Sequence, residues 1–169
     1  AWIAERRVGL LDSLATVASS LSDTWTVIGV MVGAISMLWI TGRRRHAATV
    51  LVAVSLEFTT FLAVGAIVGR SRPDVETLGS VPSTPSFPSG HTAAALVLYG
   101  VLVLVARSIS KRTVPSWIWV IPIAIGLAVA SARVYEGVHA PIDVLAGLLL
   151  GTGALVAARW ATGLDPESR

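Results

Sequence analysis

Apolar positions along the chain gather into five long runs, roughly residues 24–41, 47–69, 92–106, 116–132 and 142–160, with short polar connections and one long polar loop between them. A bilayer core of ~30 Å needs about 20 apolar residues in a helix and tolerates ~17–25. Most of the runs meet that length as they stand, and the third meets it once extended to Ile109. Recurrent Gly, Ala and Ser within them suit close packing of helices in lipid. The stretch before Thr24 has a different rhythm. Ile3, Leu10, Leu14, Val17 and Leu21 recur at helical spacing, while Arg6, Asp12, Ser13, Ser20 and Ser22 occupy other faces. That pattern predicts an amphipathic helix over residues 1–22 lying in the membrane interface rather than crossing it. The predicted fold is an all-α integral membrane protein: a bundle of about five transmembrane helices plus an N-terminal amphipathic interfacial helix. One membrane-embedded domain accounts for residues 1–169. The chain begins at Ala1 with neither an initiator methionine nor a signal peptide, which suggests a trimmed start and a preceding sixth span missing from it.

Composition narrows the alternatives. Hydrophobic residues make up 54% of the 169 and charged residues only 14%, against about 25% charge in soluble chains. Mean hydropathy is +0.75. A water-soluble globule, a disordered chain, a coiled coil and a nucleic-acid-binding module are all excluded on these grounds. The net charge of +3 comes from basic residues scattered between apolar runs, so it marks membrane sidedness, not a DNA-binding face. The absence of cysteine rules out disulfides, thiolate metal sites and thiol nucleophiles.

Sidedness follows from where the arginines lie. Connections 42–46 and 107–113 share one side with the C-terminus, and that side carries Arg43, Arg44, Arg45, Arg107, Lys111, Arg112, Arg159 and Arg169. The positive-inside rule makes it cytoplasmic. The long loop over residues 70–91 and the short turn over 133–140 therefore face outward, and they hold nearly all of the chemistry. The loop opens on Arg70-Ser71-Arg72-Pro73 and closes on Phe87-Pro88-Ser89-Gly90-His91, while the turn runs from Arg133 to His139 and on to Asp143.

Each piece has a physical reading. Ser89-Gly90-His91 precedes a helix whose first amides form an anion site, with Gly90 allowing close backbone approach. Arg72 and Arg133 can hold phosphate oxygens in bidentate fashion. Pro141 suits the first position of the last helix and Asp143 its first turn. His139 and Asp143, four apart, share a face if the helix starts nearby. An aspartate that holds one imidazole nitrogen leaves the other free to attack.

These residues resemble the three signature motifs of the type 2 phosphatidic acid phosphatase family, whose catalytic core is shared with vanadium haloperoxidases. Pro88-Ser89-Gly90-His91 matches the second motif in full, and Arg133, His139 and Asp143 match the third. The serine that usually precedes that arginine is Ala132. The first motif matches only at Arg72-Pro73, and its lysine position falls on Gly65. The resemblance implies a lipid phosphatase of the outer leaflet in which His139 is the nucleophile that forms a phosphohistidine and Asp143 orients it. It implies that His91 protonates the departing oxygen and later activates water. Arg72, Arg133, Ser89 and the Gly90 amide hold the phosphate oxygens, and neither metal nor cofactor is implied. Arg70, two residues before Arg72, is the nearest spare cation to stand in for the missing lysine. Candidate substrates are polyprenyl diphosphate, phosphatidic acid and phosphatidylglycerophosphate. Twelve arginines against one lysine hint at a GC-rich prokaryotic genome, hence a prokaryotic plasma membrane.

Taken singly, each piece also has a bland explanation: an interfacial arginine, a helix cap, a hydrogen bond at a helix start. Three motifs in order on one membrane face are harder to explain that way. Glu57 sits mid-span on the helix face of Gly65, either a functional carboxylate or a hydrogen-bonded packing contact. His46 reads as interfacial. Trp2, Trp39, Trp117, Trp119 and Trp160 read as interface anchors, and Gly151-x-Gly153 as helix packing. Gly65 and Ala132 keep a rival open, a catalytically impaired relative that binds phospholipid head groups. A vanadate-dependent haloperoxidase is disfavoured in so short and membrane-embedded a chain.

Overall fold

The computed structural model describes residues 8–79, 81–110 and 113–164. Trp2, Ile3, Arg6, Lys111, Arg112 and Arg169 lie outside the described residues. All regular structure among the described residues is helical: α1 (Gly9–Ser20), α2 (Thr24–Ile40), α3 (Arg44–Val68), α4 (Gly90–Ile109), α5 (Val120–Tyr135, preceded by a 3-10 turn at Ser116–Trp119) and α6 (Pro141–Thr162). Among the described residues, five helical segments are long and apolar enough to cross a membrane. The ends differ from the hydropathy reading where polar side chains turn inward. Helix α4 begins at Gly90, two residues earlier, and α5 continues through Arg133 to Tyr135.

Helix α4 is the centre of the bundle and packs on α3, α5 and α6, while α2 lies mainly on α3. Val97, Leu98 and Val101 of α4 are fully enclosed with Val50 and Ala53 of α3 and Ala154 and Ala158 of α6. Close approach of α6 depends on two glycines one turn apart. A Cβ on Gly147 would stand 2.5 Å from the Ser89 carbonyl oxygen, and one on Gly151 would stand 2.9 Å from that of Ala93. Small residues at this spacing let helix backbones meet. Gly153, paired with Gly151 in the sequence reading, has nothing within 4 Å of its Cβ position; Gly147 takes that part instead. Trp39, Trp117 and Trp160 are exposed, as anchors should be, and Arg44 stacks over Trp39 at 5.3 Å. Trp119 differs, being partly buried against the core.

Helix α1 turns its apolar stripe outward: Leu10, Leu14 and Val17 are exposed, while Ala15 and Ser19 are buried. It packs on α5. Its small and polar face meets the protein, which leaves the leucine face for lipid.

The arginine-rich connections converge at one end of the bundle. Arg45 Nε donates to the Thr162 carbonyl at 2.7 Å, His46 Nε2 lies 3.2 Å from Ser108 Oγ, and Thr49 and Thr162 hydroxyls are 2.8 Å apart. Those contacts tie the start of α3 to the ends of α4 and α6. The 70–89 loop and the α5–α6 turn are thereby together at the opposite end.

Candidate active site

Helix α3 ends at Gly69, which adopts a left-handed conformation (φ 57°) that a side chain would strain. The chain then crosses the end of the bundle. Ser86 N–H donates to the Arg70 carbonyl and Leu78 N–H to the Glu136 carbonyl, both at 2.9 Å. Arg72 staples the loop together. Its Nε donates to the Pro82 carbonyl (3.2 Å), its Nη2 to the Thr84 carbonyl (3.1 Å) and its Nη1 to the Val138 carbonyl (2.8 Å). The same Nη1 lies 3.4 Å from His139 Nε2.

His139 is buried just before α6, behind a turn that Gly137 makes at φ 77°. Its Nδ1 is 2.8 Å from the main-chain oxygen of Ser86. A carbonyl can only accept, so Nδ1 carries the proton and Nε2 presents its lone pair toward Arg72. Asp143, expected to hold the imidazole itself, is 3.8 Å from Nδ1. Its Oδ2 instead accepts from Ser86 Oγ at 2.6 Å and from the Ala140 amide at 2.8 Å. The carboxylate therefore caps α6 and locks Ser86, and Ser86 in turn orients His139. Arg70 Nη1 approaches the other oxygen, Oδ1, at 3.4 Å. The guanidinium expected at the phosphate is placed on this carboxylate.

The second half of the site sits where α4 starts. Ser89 is buried, its amide donates to the Asp143 carbonyl at 2.9 Å, and its Oγ accepts from Thr92 Oγ1 at 3.0 Å. That backbone bond is possible because Gly147 lets α6 close on this corner. Gly90 has Phe61 of α3 against its open side, 3.0 Å from a Cβ position, so the glycine admits a ring there. Arg133 is buried on α5, with Nη1 donating to Glu136 Oε2 at 2.8 Å and Nε left without a partner. Glu136, also buried, accepts from Ser19 Oγ at 2.6 Å. His91 Nε2 lies 3.4 Å from Asp23 Oδ1.

The structure thus brings Arg70, Arg72, Ser89, Gly90, His91, Arg133, His139 and Asp143 to one end of the bundle. Ser86, Glu136 and Asp23 were not anticipated. The acid three residues after Arg133 was the one local signal for Glu136; Ser86 and Asp23 gave none. Glu57 is buried within α3, eight residues before the Gly65 position. Gly65 faces the Phe87 carbonyl, 3.7 Å from its Cβ position.

Electrostatics favour a neutral His139. Burial, then the nearby Arg72 and Arg133 charges, push its pKa from 6.5 down to about 4, opposed by the Ser86 hydrogen bond and Asp143. Burial and the neighbouring Arg133 charge also lower that of Arg72, without removing its charge. A neutral imidazole with an oriented lone pair, flanked by two guanidiniums and a helix N-terminus, is arranged to meet an electrophile that carries negative charge.

The PAP2 superfamily model matches residues 46–164. An undecaprenyl-diphosphatase of Sulfolobus acidocaldarius is 42% identical over 71 residues, covering 42% of this chain and 31% of that protein. The bacitracin transport permease protein BcrC of Bacillus licheniformis is 28% identical over 131 residues, covering 72% of this chain and 60% of its own. This chain spans less than two thirds of the length of either. The crystal structure of a transmembrane PAP2 type phosphatidylglycerolphosphate phosphatase from Bacillus subtilis superposes with a TM-score of 0.79 at 24% identity, over 99% of this chain and 84% of that one. At that identity the likeness establishes a shared membrane-embedded helical fold.

Proposed function

The chain belongs to the PAP2 superfamily, and from that membership we propose that it dephosphorylates a membrane lipid phosphate or diphosphate, without a metal, through a phosphohistidine. The observation that carries the reading is His139: Nδ1 tied to the Ser86 carbonyl at 2.8 Å, and the Nε2 lone pair facing Arg72 Nη1 at 3.4 Å. Nε2 attacks the terminal phosphorus and its bond to the leaving oxygen breaks, that of the lipid alcohol in a monophosphate or of the lipid monophosphate in a diphosphate. His91 gives its proton to that departing oxygen. The neutral His91 then takes a proton from water, whose oxygen attacks the phosphohistidine, releasing phosphate and restoring Nε2. Arg133, through its unpartnered Nε, joins the Ser89 hydroxyl, the Gly90 amide and Arg72 in stabilising the transferring oxygens. Asp143 acts on His139 by way of Ser86.

A lipid substrate is favoured by an apolar groove of about 420 Å³ between α3 and α6. Leu56, Thr60 and Val64 face Leu149 and Gly153 across it, and Phe87-Pro88 closes its upper end. The histidines do not line it; it begins behind the Phe87-Pro88 wall, where a hydrocarbon chain could descend from a head group on the other side. The name of the Sulfolobus relative favours a polyprenyl diphosphate over phosphatidic acid or phosphatidylglycerophosphate. With the arginine-rich end cytoplasmic, the site opens on the extracytoplasmic face of a prokaryotic plasma membrane. The rival, an impaired relative that binds head groups, is favoured by Gly65 and Ala132 alone.

Phosphate release from a panel of these lipids in detergent, with EDTA present, separates the two. The protein should turn over, resist EDTA and be inhibited by orthovanadate, and His139→Ala should abolish turnover while phosphate binding persists. Rapid acid quench with radiolabelled lipid should trap an acid-labile phosphoprotein. Tight binding without release would decide for the impaired relative, and activity that needs added Mg²⁺ would contradict the site.

A further inference from the structure

We propose that Asp23, at the corner between α1 and α2, is a positioning residue for His91, its carboxylate holding the imidazole that serves the leaving oxygen. The proposal rests on the phosphatase reading and extends it to a segment outside the family-matched residues 46–164.

The first ground is what Asp23 declines to do locally. It occupies the N-cap of α2 with extended backbone (φ −60°, ψ 147°). An aspartate there ordinarily accepts a hydrogen bond from an amide in the first turn. Asp23 makes no such bond. Its carboxylate turns to His91 instead, Oδ1 lying 3.4 Å from Nε2.

The second ground is that the corner is held in place. Tyr99 of α4 donates to the Leu21 carbonyl at 3.0 Å, Ser19 to Glu136 at 2.6 Å, and Tyr135 to Asp12 at 2.8 Å. These bonds fasten the segment that leads into Asp23 to α4 and to the end of α5, the helices that carry His91 and Arg133. A carboxylate that is 55% exposed would ordinarily wander; here its backbone is pinned over the site. The charged groups facing His91 are Arg133 from α5, Arg72 from the loop and Asp23 from this corner. Asp23 is the anion among them, and so the one able to accept from the ring.

The chemistry closes. Nε2–H stays on the Asp23 carboxylate throughout. The other ring nitrogen gives its proton to the leaving oxygen as the P–O bond breaks, and later takes one from the attacking water. Asp23 exchanges no proton.

The test compares leaving groups, using the full chain in detergent. Phosphatidic acid expels an alkoxide that needs a proton; p-nitrophenyl phosphate expels a phenolate that leaves without one. General-acid catalysis contributes ~10²–10⁴-fold, and a ring that has lost its orienting partner should forfeit part of that. Asp23→Asn should lower kcat on phosphatidic acid roughly tenfold, with KM and p-nitrophenyl phosphate turnover within about twofold of wild type. Asp23→Glu should recover most of the loss, and thermal stability should hold, because no cap bond is removed. Equal losses on both substrates, or none on either, would overturn the proposal. Wild type that turns over neither of these substrates nor polyprenyl diphosphate, or His139→Ala as active as wild type, would sink the phosphatase reading and this proposal with it. Wild-type activity that Asp23→Asn leaves untouched sinks the proposal alone.

Discussion

Replacing Ser86 by alanine tests the arrangement most particular to this site. The main-chain oxygen that holds His139 survives the change, whereas the hydroxyl that binds Asp143 Oδ2 at 2.6 Å does not. Ser86 and Asp143 are both fully buried. Oδ2 would keep the Ala140 amide at 2.8 Å, and Oδ1 would keep Arg70 at 3.4 Å. A hydrogen bond to a charged group is worth ~1.5–3 kcal/mol, and at ~1.36 kcal/mol per decade that is about 10–150-fold if the loss falls on the transition state. Asp143→Asn should fall in the same range or below it, since asparagine keeps the shape and loses the charge.

The decisive quantity is their coupling. If Asp143 reaches His139 through Ser86, the double variant should be scarcely worse than the poorer single one, a strongly non-additive cycle. Phosphate release by all four proteins supplies the numbers, and orthovanadate affinity with thermal stability reports whether the site still folds. Ser86→Ala within twofold of wild type beside an Asp143→Asn loss of ~10³-fold would refute the relay, placing Asp143 directly on the imidazole.

Three further outcomes follow from the same geometry. His139, lowered from 6.5 to about 4 by burial and by Arg72 and Arg133, should stay neutral as pH falls through 6.5 and gain its proton only near 4; with three histidines in the chain, ¹⁵N-histidine spectra in micelles can follow it, and a resonance titrating near 6.5 that vanishes in His139→Gln would contradict this. Gly147→Ala must push α6 from the Ser89 carbonyl, 2.5 Å from the new Cβ, so it should cost ~1–3 kcal/mol of stability and most of the activity; Gly153→Ala, with nothing within 4 Å, should cost neither, and equal tolerance of both would overturn the packing argument. Arg70→Ala removes a half-exposed partner of Asp143, so kcat should fall by less than about tenfold with vanadate affinity kept; a fall of ~10²–10³-fold with weakened vanadate binding would put Arg70 on the phosphate, as the missing lysine at Gly65 first suggested.

The spans were legible because run length and apolarity are properties of the chain itself. Their outer ends were not. Hydropathy stops α5 before Arg133 and starts α4 after His91, since it scores such residues as belonging to water; in the fold both are turned into the site and the helices continue through them. That Arg72, Ser89, His91, Arg133, His139 and Asp143 come together at one end of the bundle was legible because a motif is a spacing near a helix end, and helix ends on one membrane face converge. Their partners were assigned less well. The pairing of His139 with Asp143, read from a four-residue interval, gave way to a longer path because Ser86 arrives from the other loop with two groups that bind better than the direct contact.

That difference has one physical source. An interval within a helix says which side chains can meet, and it says nothing of what a second segment brings to the same place. Glu136 illustrates it: an acid three residues after an arginine ordinarily describes a solvated pair of little consequence. Here α1 and the 70–89 loop lie over it, Ser19 takes one carboxylate oxygen and Leu78 the backbone carbonyl, and the pair is buried. Arg133 is then held by a partner that leaves its Nε unengaged. Asp23 is the same case over a longer separation, since an N-cap aspartate looks locally complete until α4 presents a histidine to it. The motifs mark the groups that would touch phosphate. Glu136 aside, what orients those groups comes from α1, the corner before α2 and the loop, whose sequences carry no interval to reveal it.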